Sequence, residues 1–179
     1  MDFSQAFEGR EEAVIELFTA TFTASGGAEE GRLIGDLVRH QLTGTAAPDL
    51  QVFLAESGGT IIAGAISTRL TYDRDDRAVF VLGPVAVATE RQGEGIGRAL
   101  LTHALKALRH AGVDIAVTYG DPAYYSRVGF QPISEAFAPA PFRLQHPEGW
   151  LGQSLTEAEM TPLRGSPRCV EAFDDPVFW

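Results

Sequence analysis

From Glu11 to Phe22 apolar residues recur at spacings of three and four, with Ala13, Ile15, Leu17, Phe18 and Phe22 largely along one stripe, which predicts an amphipathic helix. Gly26-Gly27 breaks the pattern. A second helical stretch runs from Glu29 to Gln41, where Leu33, Ile34, Leu37 and Val38 are apolar and Arg32, Asp36 and Arg39 face water. Two consecutive helices are therefore expected to open the fold. The period then shortens: Gln51 to Ala55 and Thr60 to Leu70 read as strands, separated by Ser57-Gly58-Gly59, a hairpin-turn composition. Tyr72 to Arg77 reads as a charged loop. In Ala78 to Val87, Val79, Val81, Val85 and Val87 alternate with Phe80, Leu82 and Ala86, and a strand apolar on both faces belongs in the middle of a sheet.

Helical spacing returns after that strand, with Ile96, Ala99, Leu100, Ala104, Ala107, Leu108 and Ala111 marking a helix that starts near Gly95. Gly112 is a natural stop, and Arg109 and His110 in the last turn complement the helix dipole. Val113 to Tyr119 reads as another buried strand, which completes a β-α-β unit. A short helical turn, Pro122 to Arg127, leads through Gly129 into a strand from Phe130 to Ile133. Past Glu135 the texture changes, since seven of the ten prolines lie from Pro132 onward. Phe142, Leu144, Trp150, Leu151, Leu155, Phe173, Phe178 and Trp179 make this tail too apolar for disorder, so it is expected to be irregular chain plus one or two strands. The expected organisation is a single domain over residues 1–179, with a core of about 10–135 and an extension, 136–179, packed on it. The fold class is α/β (α+β), a mixed central sheet flanked by helices.

Composition narrows the function. A chain of 179 residues needs no disulfide or metal staple, and its one cysteine, Cys169, has no ligand or nucleophile spacing and reads as a small apolar filler. Met1 to Gly9 lacks an apolar h-region and nowhere do eighteen apolar residues run together, so a cytoplasmic protein, neither secreted nor membrane-bound, is expected. A formal charge of −10 argues against a nucleic-acid partner. The same charge either keeps the protein soluble or steers small cations such as amines toward it.

The most informative segment is Arg91-Gln92-Gly93-Glu94-Gly95-Ile96-Gly97-Arg98, between a buried strand and a long helix. Glycines let the backbone turn with positive φ and let a ligand approach the main chain. The helix N-terminus behind them offers unpaired N–H groups and a positive dipole end, which suits phosphate, and Arg91 and Arg98 add charge. A P-loop would need a Gly-Lys-Ser/Thr that is missing. The dinucleotide fingerprint fails because Arg98 or Leu100 stands at its last position, and Asp114 begins its strand rather than ending it.

Gln92-x-x-Gly95-x-Gly97, preceded by Leu82-Gly83-Pro84-Val85-Ala86-Val87 and followed by Tyr124-Tyr125-Ser126-Arg127-Val128-Gly129-Phe130, resembles the coenzyme A motif of the GNAT acetyltransferase superfamily. The likeness covers roughly Gln51 to Ile133 and is strongest with a YhbS-like subgroup carrying a Gly-Asp-Pro-x-Tyr-Tyr segment. It implies a GNAT fold whose sheet is splayed at a bulged strand, acetyl-CoA as cosubstrate, no metal, and transfer of the acetyl group to a primary amine by direct attack in a ternary complex. Pro84 supports the bulge independently, because proline removes a ladder donor and is tolerated mainly where pairing ends, although ordinary packing irregularity would also account for it.

By the same resemblance the pantetheine arm pairs with the backbone of Val85, Ala86 and Val87, an N–H near Val85 polarises the acetyl carbonyl, and Gln92, Gly93, Glu94, Gly95, Ile96, Gly97 and Arg98 bind the diphosphate. Tyr125 matches the family position that protonates the departing thiolate. Tyr124, about 100° round the helical turn, reads as an aromatic packing residue. Asp121-Pro122 stands where many members carry Asn, so an Asn contact does not transfer. Arg127 is either a nucleotide contact or a solvated residue. No general base emerges: Glu56, Asp73, Asp75, Asp76 and Glu90 read as solvated charges, His103 and His110 as surface or capping residues, and His40 and His146 have no motif around them. The absent base leaves a catalytically silent acyl-CoA binding or sensing module as the alternative. The acceptor has no signature, and the apolar end, Phe178-Trp179, can cover its own core or a second copy in a homodimer.

Overall fold

The Gly26-Gly27 break separates two helices, α1 (Glu11–Gly26) and α2 (Ala28–Gly44), in a computed structural model that describes residues 1–179. The strands are β1 (Asp2–Ser4), β2 (Leu50–Ser57), β3 (Thr60–Tyr72), β4 (Asp75–Val87), β5 (Ile115–Tyr119), β6 (Gln131–Pro132), β7 (Trp150–Ser154) and β8 (Pro167–Arg168). Helix α3 (Ile96–His110) connects β4 to β5, and the one-turn helix α4 (Pro122–Tyr125) follows β5. The strand order is β1-β2-β3-β4-β5-β7-β6, with β8 on β3. β4 and β5 run parallel, whereas β1–β2, β3–β8, β5–β7 and β6–β7 are antiparallel, so the sheet is mixed as expected. No helix is long and apolar enough to cross a membrane.

The chain divides into two units, Met1–Ser67 with Pro84–Ala104 and Thr68–Gly83 with Leu105–Trp179, and β3, β4 and α3 each contribute a part to both. In the first unit, Val14, Ile15 and Phe18 of α1 and Val38 and Leu42 of α2 bury their apolar stripes against Leu50, Val52, Leu54, Ile66 and Ala86. Each such side chain contributes about 1.5–3 kcal/mol by leaving water. Glycine is required at position 64, where a Cβ would lie 2.8 Å from the Phe18 ring.

The two helices do not open the fold, because β1 precedes them, paired on β2 with Phe3 opposite Ala55. Three residues are too few to show a period. β1 is held by its neighbours: Ser4 donates to Glu56 at 2.6 Å, Arg10 pairs with Glu56 at 3.0 Å, and the Phe3 ring stacks on His103 at 4.6 Å. Glu56 and His103 are thus packing partners rather than solvated groups.

In the second unit β5 pairs with β4 from Val79↔Ile115 to Leu82↔Thr118, and its other edge pairs with β7 from Ile115↔Ser154 to Tyr119↔Trp150. Trp150 is fully buried and donates from Nε1 to the Ala138 carbonyl at 2.8 Å, while Trp179, also buried, packs on it at 5.9 Å and donates to Phe173. The strand expected over Phe130 to Ile133 is shorter: Phe130 is a core residue and only Gln131–Pro132 pairs, with β7.

The charged loop expected from Tyr72 to Arg77 is instead a tight hairpin, and Asp75, Asp76 and Arg77 begin β4. Residues i and i+2 of a strand share a face. Asp75 and Arg77 use this to pair at 2.8 Å, and the Arg77 guanidinium continues to Thr161 and the Pro162 carbonyl while Asp75 accepts from the Arg164 N–H. Asp75, with its side chain 3% exposed, is not a solvated charge, and Asp73 likewise accepts from the Ser166 N–H at 2.7 Å. The Arg77 hydrogen bonds hold the Asp75 carboxyl well below the usual carboxylate range. Its stabilisation is therefore complete above the unfolded value near pH 4 and is lost as the pH falls below that. Asp75→Asn should cost about 1–3 kcal/mol at neutral pH by urea unfolding, and the variant should lose less stability than the parent between about pH 6 and pH 3. An equal loss in both would remove Asp75 from this role.

Candidate active site

The site region grows out of the end of β4. The Val87 carbonyl accepts from Gln92 Nε2 at 3.1 Å and from Thr21 Oγ1 at 3.4 Å, and the next amide, Ala88 N–H, donates to the Ile62 carbonyl at 2.9 Å. The strand is thus tied off on both sides before a 3-10 turn, Thr89–Arg91, carries the chain to Gln92. Gly93 and Gly95 have φ of 83° and 79°, the left-handed region that costs other residues about 1–2 kcal/mol. A Cβ on either would meet nothing within 4 Å, so backbone conformation, not crowding, demands glycine, and the space above the turn is open.

Helix α3 starts at Ile96, with the Ala99 N–H bonded to the Gly95 carbonyl. The N–H groups of its first turn therefore lack intrahelical acceptors and form the positive end of a fifteen-residue helix. Gln92, Gly93, Glu94, Gly95 and Arg98 are exposed, so no chain segment covers the turn, while Ile96 and Gly97 are buried. An exposed glycine turn with free amides at the head of a long helix fits a diphosphate.

Side chains divide differently from the sequence reading. Arg91 is committed to Glu94, with nitrogen to oxygen distances of 3.0–3.1 Å, and this hydrogen bonding lowers the Glu94 carboxyl and raises the guanidinium. The Gln92 amide props the strand end. Ala86 lies in the α1/α2 core, so only its main chain is available to a ligand.

In the second unit, Asp121 caps α4 by accepting from the Ala123 N–H at 2.9 Å, which gives a local reason for aspartate before Pro122. Tyr125 is partly buried, its ring edge-on to Tyr124 at 5.2 Å and to Phe130 at 5.7 Å. Burial pushes its phenol up to about 12. Burial also raises the half-buried Tyr124. At neutral pH the Tyr125 phenol keeps its proton.

The remaining candidates lie apart from any assembled chemistry. Glu90 and Arg127 are exposed. His110 approaches the Lys106 carbonyl at the end of α3, and His146 lies 3.6 Å from Glu148 on the surface. No three His, Cys, Asp or Glu side chains group in a way that could hold a metal ion.

A mixed sheet with a parallel β4-α3-β5 crossover and an open glycine turn at the head of α3 is the architecture of the GNAT acetyltransferases. Residues 48–132 match the acetyltransferase (GNAT) domain. The N-acetyltransferase YjhQ of Escherichia coli K12 is 33% identical over 153 residues, spanning 83% of this chain and 82% of the relative. The chain belongs to the GNAT N-acetyltransferase family. YhbS of the same organism is 29% identical over 92 residues, 51% of this chain and 55% of its own.

Among solved structures, a GNAT family acetyltransferase from Brucella melitensis in complex with acetyl-CoA matches over 97% of each chain with a TM-score of 0.72 and 22% identity. E. coli YhbS in complex with CoA matches over 97% of this chain and 92% of its own, with a TM-score of 0.77 and 20% identity.

Gly95→Ala should destabilise the protein by about 1–2 kcal/mol through backbone strain alone. Equilibrium urea unfolding measures this, and an unchanged midpoint would contradict the left-handed turn.

Proposed function

We propose that this protein binds acetyl-CoA through the Gln92 to Arg98 turn and transfers the acetyl group to a primary amine by direct attack in a ternary complex. The observation that carries the reading is the exposed turn, where a Cβ on Gly93 or Gly95 would meet nothing within 4 Å, at the head of α3. The complexes of the Brucella melitensis enzyme with acetyl-CoA and of YhbS with CoA support it. The thioester supplies an activated acyl group. The main-chain groups of Gly93, Glu94, Gly95, Ile96, Gly97 and Arg98 receive the diphosphate, and the exposed Arg98 guanidinium adds charge. The main chain of Val85, Ala86 and Val87 pairs with the amides of the pantetheine arm, and the Val85 N–H polarises the acetyl carbonyl.

The amine nitrogen forms the new bond to the acetyl carbon as the carbon–sulfur bond breaks, and Tyr125 gives its phenolic proton to the leaving thiolate. Water then reprotonates Tyr125, and the surplus proton on nitrogen passes to solvent. The phenol suits this role because it keeps its proton at neutral pH. An amine's pKa normally lies well above 7, so the acceptor must lose a proton before attack, and turnover should rise with pH through the neutral range. The acidic chain, −10 in formal charge, favours a cationic acceptor.

Coenzyme A should raise the melting temperature of the protein and NAD should not. With acetyl-CoA and a panel of amines, Tyr125→Phe should slow thiol release by about 100-fold or more while the coenzyme Kd stays within about twofold. Full turnover in Tyr125→Phe would remove the acid role. Tight coenzyme binding with no amine-dependent thiol release by the parent protein would mark a binding module instead.

A further inference from the structure

Gly120 opens the segment Gly-Asp-Pro-Ala-Tyr-Tyr that ends at Tyr125, yet its φ is not positive, so backbone conformation does not demand glycine there. Crowding demands it instead. A Cβ at position 120 would lie 2.8 Å from Cε2, 3.5 Å from Cδ2 and 3.7 Å from Cζ of Tyr125, so the ring occupies the place that a side chain would take.

The Gly120 main chain is itself held in place. Its N–H donates to the Gly149 carbonyl at 2.9 Å, one position beyond the Tyr119↔Trp150 rung of the β5–β7 ladder. Gly149 is buried and also lacks a positive φ, and a Cβ there would come within 2.9 Å of the Gly120 oxygen. The turn that carries Gly149 is tied to β5 as well, because the His146 N–H donates to the Tyr119 hydroxyl at 2.6 Å and the Gly149 N–H to the His146 carbonyl at 2.8 Å. Two glycines thus meet where neither backbone requires one, and the Tyr125 ring rests against the first.

The rest of Tyr125 is bounded too. The Tyr124 ring meets it edge-on at 5.2 Å and the buried Phe130 ring at 5.7 Å, while its N–H donates to the Asp121 carbonyl at 3.1 Å and its carbonyl accepts from the Phe130 N–H at 3.3 Å. Twisting the ring about its own axis would leave the phenolic oxygen where it is, but the two aromatic edges oppose that motion. Pressure from position 120 is therefore relieved by swinging the whole ring, and this moves the oxygen.

We propose that Gly120 is the positioning residue for Tyr125: it leaves the place of its missing Cβ to the ring and, braced by Gly149, fixes the point from which the phenolic oxygen delivers its proton. This rests on the reading of Tyr125 as the acid. In that step the phenol O–H breaks and an S–H forms on the departing thiol, and the phenolate then recovers a proton from water; Gly120 takes no part in the bond changes. Proton transfer needs donor and acceptor within hydrogen-bond reach, and a displacement of about 1 Å can cost about 100-fold in rate.

The test is a double-mutant cycle of Gly120→Ala and Tyr125→Phe, with turnover measured on acetyl-CoA and an accepted amine. The Tyr125 ring carbon bearing the hydroxyl is followed by NMR in 13C-labelled protein, its resonance identified by its loss in Tyr125→Phe. Gly120→Ala should lower kcat by about tenfold with KM for acetyl-CoA within about twofold, and should shift the Tyr125 resonance. Added to Tyr125→Phe, the same substitution should change kcat by less than about twofold, because the hydroxyl it positions is gone. Gly149→Ala, whose Cβ would press on the Gly120 main chain, should act in the same direction with the same dependence on Tyr125, and it carries the test if Gly120→Ala does not fold. Unchanged kcat in Gly120→Ala, a lowered kcat with the resonance unmoved, or an equal loss with and without the Tyr125 hydroxyl would each overturn the proposal while leaving the acid role standing. Full turnover in Tyr125→Phe would defeat the acid role and this proposal with it.

Discussion

Main-chain hydrogen bonding along β4 is the constraint from which the rest follows. The strand has thirteen residues, yet its parallel rungs with β5 run only from Val79 to Leu82. Buried backbone N–H and C=O groups must find partners, so a strand that outruns its ladder needs other arrangements. At the far end of β4, Gln92 and Thr21 take the Val87 carbonyl and Ile62 takes the Ala88 N–H. At the last rung, the Thr118 hydroxyl reaches the Leu82 carbonyl. Between them lie Gly83 and Pro84, residues that respectively relax backbone geometry and remove a donor.

Electrostatics at these places comes from the backbone and from burial more than from charged side chains. In a chain with a formal charge of −10, the turn before α3 still suits an anion, because unpaired amides and the helix dipole supply the local positive potential. Arg91 adds little free charge while Glu94 holds it. At Tyr125, burial raises the phenol further above its ordinary value, so the group is protonated at neutral pH. Both effects are products of the fold.

Much of this was legible in the residues. The α1 and α2 stripes, the two-sided apolar pattern of β4 and the left-handed turn at Gly93 and Gly95 are signalled within a few neighbouring positions, where periodicity and turn chemistry operate. Legibility failed where the decisive partner is distant in sequence. Asp75 and Arg77 look solvated until Thr161, Pro162 and Arg164 arrive to bond them. β1 has three residues and exists because β2 and His103 receive it. One or two strands were expected in the tail, but the place of β7 was not legible among the prolines and is set by its pairing with β5. Thr118 looked like one more strand residue, since its carbonyl partner lies 36 positions away.

The central claim is that the main chain of the turn heading α3 grips the coenzyme's diphosphate. Amide NMR of 15N-labelled protein during titration with coenzyme A tests it most directly, because a hydrogen bond to phosphate displaces the donating N–H resonance. The account predicts large, saturating shifts at Gly93, Gly95, Ile96 and Gly97, reproduced more weakly by inorganic pyrophosphate. Saturable coenzyme binding that leaves those four amides unmoved would contradict it.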